Sequence, residues 1–340
     1  MPEFLALAGA DRTLAFDQAA LRRQCSPVMV EKDFWVCWLL RELFAESPPG
    51  QMVFKGGTSL SKVFGVIDRF SEDIDLCLPP ALIGAEEAMF DTLASRARRD
   101  AAMRELQDWS SRYTRDTLAP QLERRIRQAL GEPPGGGNWL SFEEDQASHS
   151  PVLRFRYPSV QPAGFEYLAR SVKLDLGSLT DQQPVGLHAV RPWVADDFPA
   201  AFENWRCEVT ALELERTFWE KATILHAEYH RPENLPMPDR YARHYADMAR
   251  LLQHSQGAAN LANDAVARRV VEWKGNLFAR AWARYDLARR GSFRLVPPSS
   301  RMDALKADYA RMRPMFLSEP PSFDDLLSQL AQAEKTLNAP

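Results

Sequence analysis

Cysteine is scarce in this chain, and what there is forms no pattern. Cys25, Cys37, Cys77 and Cys207 lack metal-ligand spacing, so reduced thiols in a cytosolic protein are the expectation. His149, His188, His226, His230, His244 and His254 show no zinc spacing either. No apolar run approaches the roughly 18 residues that cross a bilayer, and the N-terminal MPEFLALAGADR has no basic flank. A cytoplasmic protein without a membrane partner is therefore expected. Excess positive charge is missing too. A net charge of −4 argues against a general nucleic-acid coat protein but leaves room for a local basic surface. There is no internal repeat and no nucleophile elbow. What remains is the composition of a globular protein, 45% apolar and 26% charged, over 340 residues, a length that accommodates two domains.

The most informative stretch is Val53 to Leu78, VFKGGTSLSKVFGVIDRFSEDIDLCL. Val53 and Phe54 end a short apolar run, and Gly56 and Gly57 supply a turn without Cβ atoms. Leu60, Val63, Phe64 and Ile67 then recur at helical spacing. A glycine turn opening a helix presents unpaired N–H groups to an anion, and Thr58 and Ser59 add hydroxyls there. In the next strand Asp73 and Asp75 alternate with Ile74 and Leu76, so both carboxylates leave by one face. Paired hard oxygen ligands suit Mg²⁺, which takes substrate phosphate oxygens as further ligands. Together these features describe a site for a nucleoside triphosphate.

Lys55-Gly56-Gly57-Thr58-Ser59-Leu60-Ser61-Lys62 followed by Arg69-Phe70-Ser71-Glu72-Asp73-Ile74-Asp75-Leu76 closely resembles the signature of the AbiEii/AbiGii toxin-type nucleotidyltransferases. That family includes the MenT toxins and belongs to the DNA-polymerase-β-like superfamily. The resemblance implies that Lys55, Gly56, Gly57, Thr58, Ser59, Lys62, Arg69 and Ser71 bind the nucleotide, and that Asp73 and Asp75 hold the metal. It also implies an NTP substrate, an RNA acceptor (a tRNA 3′ end), and a separately encoded antitoxin in a bacterial defence pair against phage.

Elsewhere, Ser26-Pro27 reads as the start of a helix carrying Trp35, Trp38 and Leu39. Within it, Glu31-Lys32-Asp33 is a triplet the family also tends to carry. Pro48-Pro49-Gly50 should break that helix, and residues 84–130 should form an arginine-rich helical insertion. Glu132 to Gly137 reads as a loop, and Val152–Tyr157 and Val172–Leu176 as strands. In the latter, Asp175 shares a face with Lys173 and is the candidate third acid, as base or metal ligand. A long helix is expected from Thr210 to Tyr229, with Lys221 on the stripe of Leu214, Phe218 and Leu225. A buried ammonium needs an anion or a route to water.

Arg216-Thr217-Phe218 with Glu220-Lys221 resembles a second family motif, and RYARHYADMARLL from Arg240 a third. These place Lys221 and Asp247 among the site residues, with Asp247 orienting Lys221 or Arg243. Arginines from Arg268 to Arg313, interleaved with Trp273, Phe278, Trp282 and Tyr285, could line an RNA groove. The expected fold is α/β (α+β). A mixed-sheet nucleotidyltransferase domain occupies residues 1–195 and a helical domain residues 196–340, closing over it. Two alternatives share the glycine turn and paired acids: a nucleotidyltransferase acting on a small molecule such as an antibiotic, and an inactive nucleotide- or RNA-binding module.

Overall fold

The computed structural model describes residues 3–45, 52–79, 96–146, 149–162, 169–177, 181–277 and 280–339. Pro48 to Gly50, residues 84–95 of the expected insertion, and Phe278 lie outside these residues. The chain groups into two compact units. The first is drawn from Met1–Val63, Phe70–Thr92 and Ala101–Ala211, the second from Phe64–Arg69, Leu93–Asp100 and Leu212–Pro340.

The first unit opens with α1 (Glu3–Ala6), α2 (Gly9–Arg23) and α3 (Pro27–Phe44). Pro27 opens α3, and the Ser26 hydroxyl accepts the Val28 N–H at 3.3 Å, a standard N-cap. This helix is buried on nearly every side. Trp35 stacks on Tyr157 with ring centres 5.6 Å apart, and Trp38 on Phe155 at 5.6 Å. Truncating such an aromatic to alanine costs about 3–5 kcal/mol, so these contacts pin α3 to the sheet.

After α3 come β1 (Val53–Lys55), α4 (Gly56–Lys62) and β2 (Ile74–Cys77). Next is α5 (Arg96–Tyr113), which falls in this unit from Ala101 onward, and a π-helical turn leads into α6 (Ala119–Leu130). Then follow β3 (Leu140–Glu144), β4 (Pro151–Phe155), β5 (Val172–Gly177), β6 (Val185–Ala189), α7 (Val194–Asp197) and β7 (Glu208–Leu212). The seven strands form one mixed sheet in the order β3-β4-β5-β2-β1-β7-β6. β2 runs antiparallel to β1 and parallel to β5. Ile74, Leu76, Val172, Leu174 and Leu176 are fully buried, so the intervening acids emerge on the wetter face.

The second unit is helical in its named elements. It contains α8 (Leu214–Tyr229), α9 (Ala242–Gln253), α10 (Gly257–Ala262), α11 (Asp264–Leu277), α12 (Met302–Arg311) and α13 (Phe323–Asn338). α8 packs on α9 and α11, and α9 on α13, around Phe218, Trp219, Leu225, Met248 and Leu330. No helix among the described residues is long and apolar enough to cross a membrane.

The α/β architecture is as expected, with two differences of detail. The helix after the glycine turn ends at Lys62 rather than continuing to Ile67; Gly65, at φ +61°, takes the left-handed conformation that stops a helix. The long helix starts at Leu214, because Thr210 belongs to β7, where Phe54 pairs with Ala211. The first unit runs to Ala211, and Phe64–Arg69 groups with the second.

Candidate active site

In β2 and β5 the parallel register sets Asp75 directly opposite Asp175. Neighbouring strands lie about 4.8 Å apart, so two carboxylates share one stretch of sheet face, and Asp73 precedes Ile74 just upstream. On the other side of β2, Lys55 is opposite Asp75. The next residue, Gly56, has φ +82°, and a Cβ built there would sit 2.0 Å from Asp75 Oδ2. Only glycine fits. Glycine turn and acid strand are therefore in contact, not merely near in sequence.

Burial and repulsion act in the same direction on this group. Burial, then Glu72, Asp75 and Asp175, push the Asp73 carboxyl up to about 6, against the opposing pull of Lys173. Lys173 Nζ lies 2.7 Å from Asp175 Oδ2, so the strand carries its own counter-charge. Among the described residues no three carboxylate, histidine or cysteine side chains are already drawn around one point. The donor set nevertheless fits a hard divalent cation: three carboxylates, two in register, with one destabilised by the others.

Several expected ligands are engaged inside the protein. Thr58 and Ser59 are wholly buried. The Thr58 hydroxyl donates to the Asp73 carbonyl, with the Ser71 hydroxyl 3.0 Å away. Ser59 Oγ has no partner among the described residues. Lys62, the last residue of α4, turns to Asp33 at 2.6 Å rather than toward the glycine turn. The short helix explains this: Lys62 emerges more than a turn beyond Gly56, on the side facing α3. The Lys32, Asp33 and Glu72 partnerships were not legible in advance, because they join residues 29 to 40 positions apart.

A second cluster lies in the second unit. Asp247, 1% exposed, receives Arg69 in a two-pronged pair, Nε to Oδ1 at 2.7 Å and Nη2 to Oδ2 at 2.8 Å. Lys221 Nζ adds a contact to Oδ2 at 2.8 Å and approaches His244 Nδ1 at 3.3 Å. Burial would raise the Asp247 carboxyl, but Arg69 and Lys221 more than offset it, leaving the group well below the usual carboxylate range. Burial and the Lys221 ammonium lower His244 well below its ordinary value, so its ring is neutral and Nδ1 can accept. Asp247 thus holds Lys221 by a direct ion pair. Arg243, by contrast, is exposed and makes no ion pair among the described residues; Arg69 takes the place expected for it.

Of the late arginines, Arg284, Arg290, Arg294, Arg311 and Arg313 pair with acids, and Arg301 is buried against backbone carbonyls. Arg268, Arg280 and Arg289 are exposed. Trp273, Trp282 and Tyr285 are half-buried, and the Arg231 and Arg280 guanidinium groups come within 4.8 Å and 5.9 Å of the Trp282 ring centre.

No curated protein matches the sequence. Among solved structures, the chain is similar to MenT4, the nucleotidyltransferase toxin Rv2826c from Mycobacterium tuberculosis H37Rv. The TM-score is 0.52 at 15% identity, over 98% of this chain and 90% of that one, a likeness of fold. The sequence model described as "Nucleotidyl transferase AbiEii toxin, Type IV TA system" matches residues 38–329, which include the glycine turn, Asp73, Asp75, Asp175 and the Asp247 cluster. With that match spanning most of its length, the chain belongs to the AbiEii family of nucleotidyltransferase toxins.

Proposed function

We propose that this toxin moves a nucleoside monophosphate from an NTP to the 3′ end of an RNA, a tRNA in particular, and that Mg²⁺ held by Asp73 and Asp75 is required. The observation that carries the reading is the in-register Asp75–Asp175 pair, with Asp73 alongside and Gly56 against the Asp75 carboxylate. When bound there, Mg²⁺ would neutralise the triphosphate and lower the cost of forming the attacking alkoxide. The backbone N–H groups at Gly56 and Gly57, with Lys55, receive phosphate oxygens. Asp175 takes the proton of the acceptor hydroxyl. The hydroxyl oxygen bonds to the α-phosphorus as the bond to pyrophosphate breaks. Thr58 and Ser71 act one step back, holding the Asp73 backbone. Arg69, Lys221 and Asp247 support turnover as a preformed charged cluster.

An RNA acceptor is supported by the exposed Arg268, Arg280 and Arg289. A cognate antitoxin encoded elsewhere, a role in phage defence and a cytoplasmic location complete the proposal. Incubating the protein with each labelled NTP, Mg²⁺ and total RNA tests it on one gel. A labelled band of tRNA size is expected. Label confined to a small molecule would reassign the acceptor, and no labelled product with any NTP would end the reading.

A further inference from the structure

Glu31, Lys32 and Asp33 stand in the first turns of α3, and all three side chains are buried, Lys32 at 2% exposure. Burying three consecutive charges is costly without partners, so the partners show what the triplet holds. Glu31 receives the Ser159 hydroxyl at 2.6 Å and the Val160 N–H at 2.7 Å. Asp33 receives Lys62 at 2.6 Å and the Trp193 N–H at 2.7 Å. The Trp193 ring lies 5.2 Å from the Lys62 ammonium and 5.9 Å from the Phe70 ring. Lys32 donates to the Ala169 carbonyl at 2.9 Å and to Glu72, the residue before Asp73.

One turn of α3 therefore grips two points along the segment from the glycine turn to the acids: the end of α4 through Asp33, and the approach to Asp73 through Lys32. Thr58 bonds across, from α4 to the Asp73 carbonyl. Apolar side chains of similar volume would fill the space with less desolvation cost. What the ion pairs add is direction, a defined distance between α3, α4 and the loop before β2.

We infer that Lys32 and Asp33 are positioning residues for nucleotidyl transfer, setting the spacing between the glycine turn and Asp73 through Lys62 and Glu72. The inference rests on the function proposed above. None of the four needs to touch the nucleotide.

The test is a double-mutant cycle of Asp33→Asn and Lys62→Met, with Lys32→Met and Lys32→Arg alongside. Transfer of each labelled NTP to deacylated total tRNA is measured per folded molecule, with folding followed by circular dichroism and thermal melts. Misplacing catalytic groups by about 1 Å costs up to about 100-fold. Each cycle single is therefore expected to lower kcat by about 10- to 100-fold, leaving KM for the NTP near wild type. The double variant should lose no more than the worse single, and Lys32→Arg should keep more activity than Lys32→Met. Where a single variant does not fold, the double variant, which leaves no lone charge, supplies the measurement. Wild-type kcat in the folded variants would overturn the role. So would additive losses with a large KM rise in Lys62→Met, which would make Lys62 a nucleotide ligand. A wild-type protein that transfers nothing overturns the functional reading itself, and this role with it.

Discussion

Asp73 and Asp247 are the same residue type in opposite electrostatic settings. Asp73 sits among Glu72, Asp75 and Asp175, and its carboxyl is pushed up to about 6. Asp247 sits between Arg69 and Lys221 and is held far down. Burial disfavours charge at both, so the neighbours decide the sign. The first setting leaves negative charge in excess and invites a cation from outside. The second is already neutralised by its two cations. The charged neighbours, not the depth of burial, set these two carboxylates apart.

Removing one carboxylate from each setting should have opposite consequences. Asp73→Asn or Asp75→Asn should lower nucleotide transfer by on the order of 10³-fold, while the thermal midpoint stays level or rises because repulsion is relieved. Incorporation at the wild-type rate in both variants would falsify the metal-and-acid assignment.

Asp247→Asn should do the reverse to the fold. It strands Arg69 and Lys221 in the interior and should cost about 3–5 kcal/mol in urea unfolding. Lys221→Met combined with Asp247→Asn should recover part of that loss; a double variant as weak as the sum of the singles would show that the pair is not coupled.

Mg²⁺ sharpens the contrast from the other side. At a concentration 100 times its Kd, the ion should stabilise the wild type by about 2.7 kcal/mol. The gain should vanish in Asp73→Asn and persist in a folded Asp247 variant. An equal shift in all three would mean the ion binds elsewhere.

The smallest effect is on pH dependence, in metal-free buffer. Asp73 has a folded pKa of about 6 against an ordinary 3.8, so the folded state holds the proton more tightly. Its contribution is complete below about pH 4 and is lost as the pH rises through about 6. Asp247 runs the opposite way: its contribution is present above the ordinary carboxylate range and is lost only in strong acid. Between pH 4 and 6, stability of the wild type should gain less with rising pH than that of Asp73→Asn. Parallel curves for the two proteins would contradict the raised value.

Local pattern made much of the fold legible. The Ser26-Pro27 cap, the strand at Val53, the alternation of Asp73 to Leu76 and that of Val172 to Leu176 all follow from residues within a few positions of each other. β7 was hidden because its strand, Glu208–Leu212, runs almost directly into α8, and a short apolar run beside a helix reads as that helix. β3 and β6 are half-exposed edge strands with little apolar signal. The site divides in the same way. Gly56, Asp73, Asp75 and Asp175 were visible as types and spacings. Arg69 as the partner of Asp247 was not, since 178 positions separate them.

The sequence alone determined which chemistry the chain carries, because a glycine turn, a helix and an alternating acid strand are local objects whose geometry follows from backbone rules. Tertiary structure decided which charges remain available for it. Thr58 and Lys62 look like ligands in one dimension, yet each is drawn inward by a partner, since a buried charge or hydroxyl must be satisfied wherever the fold places it.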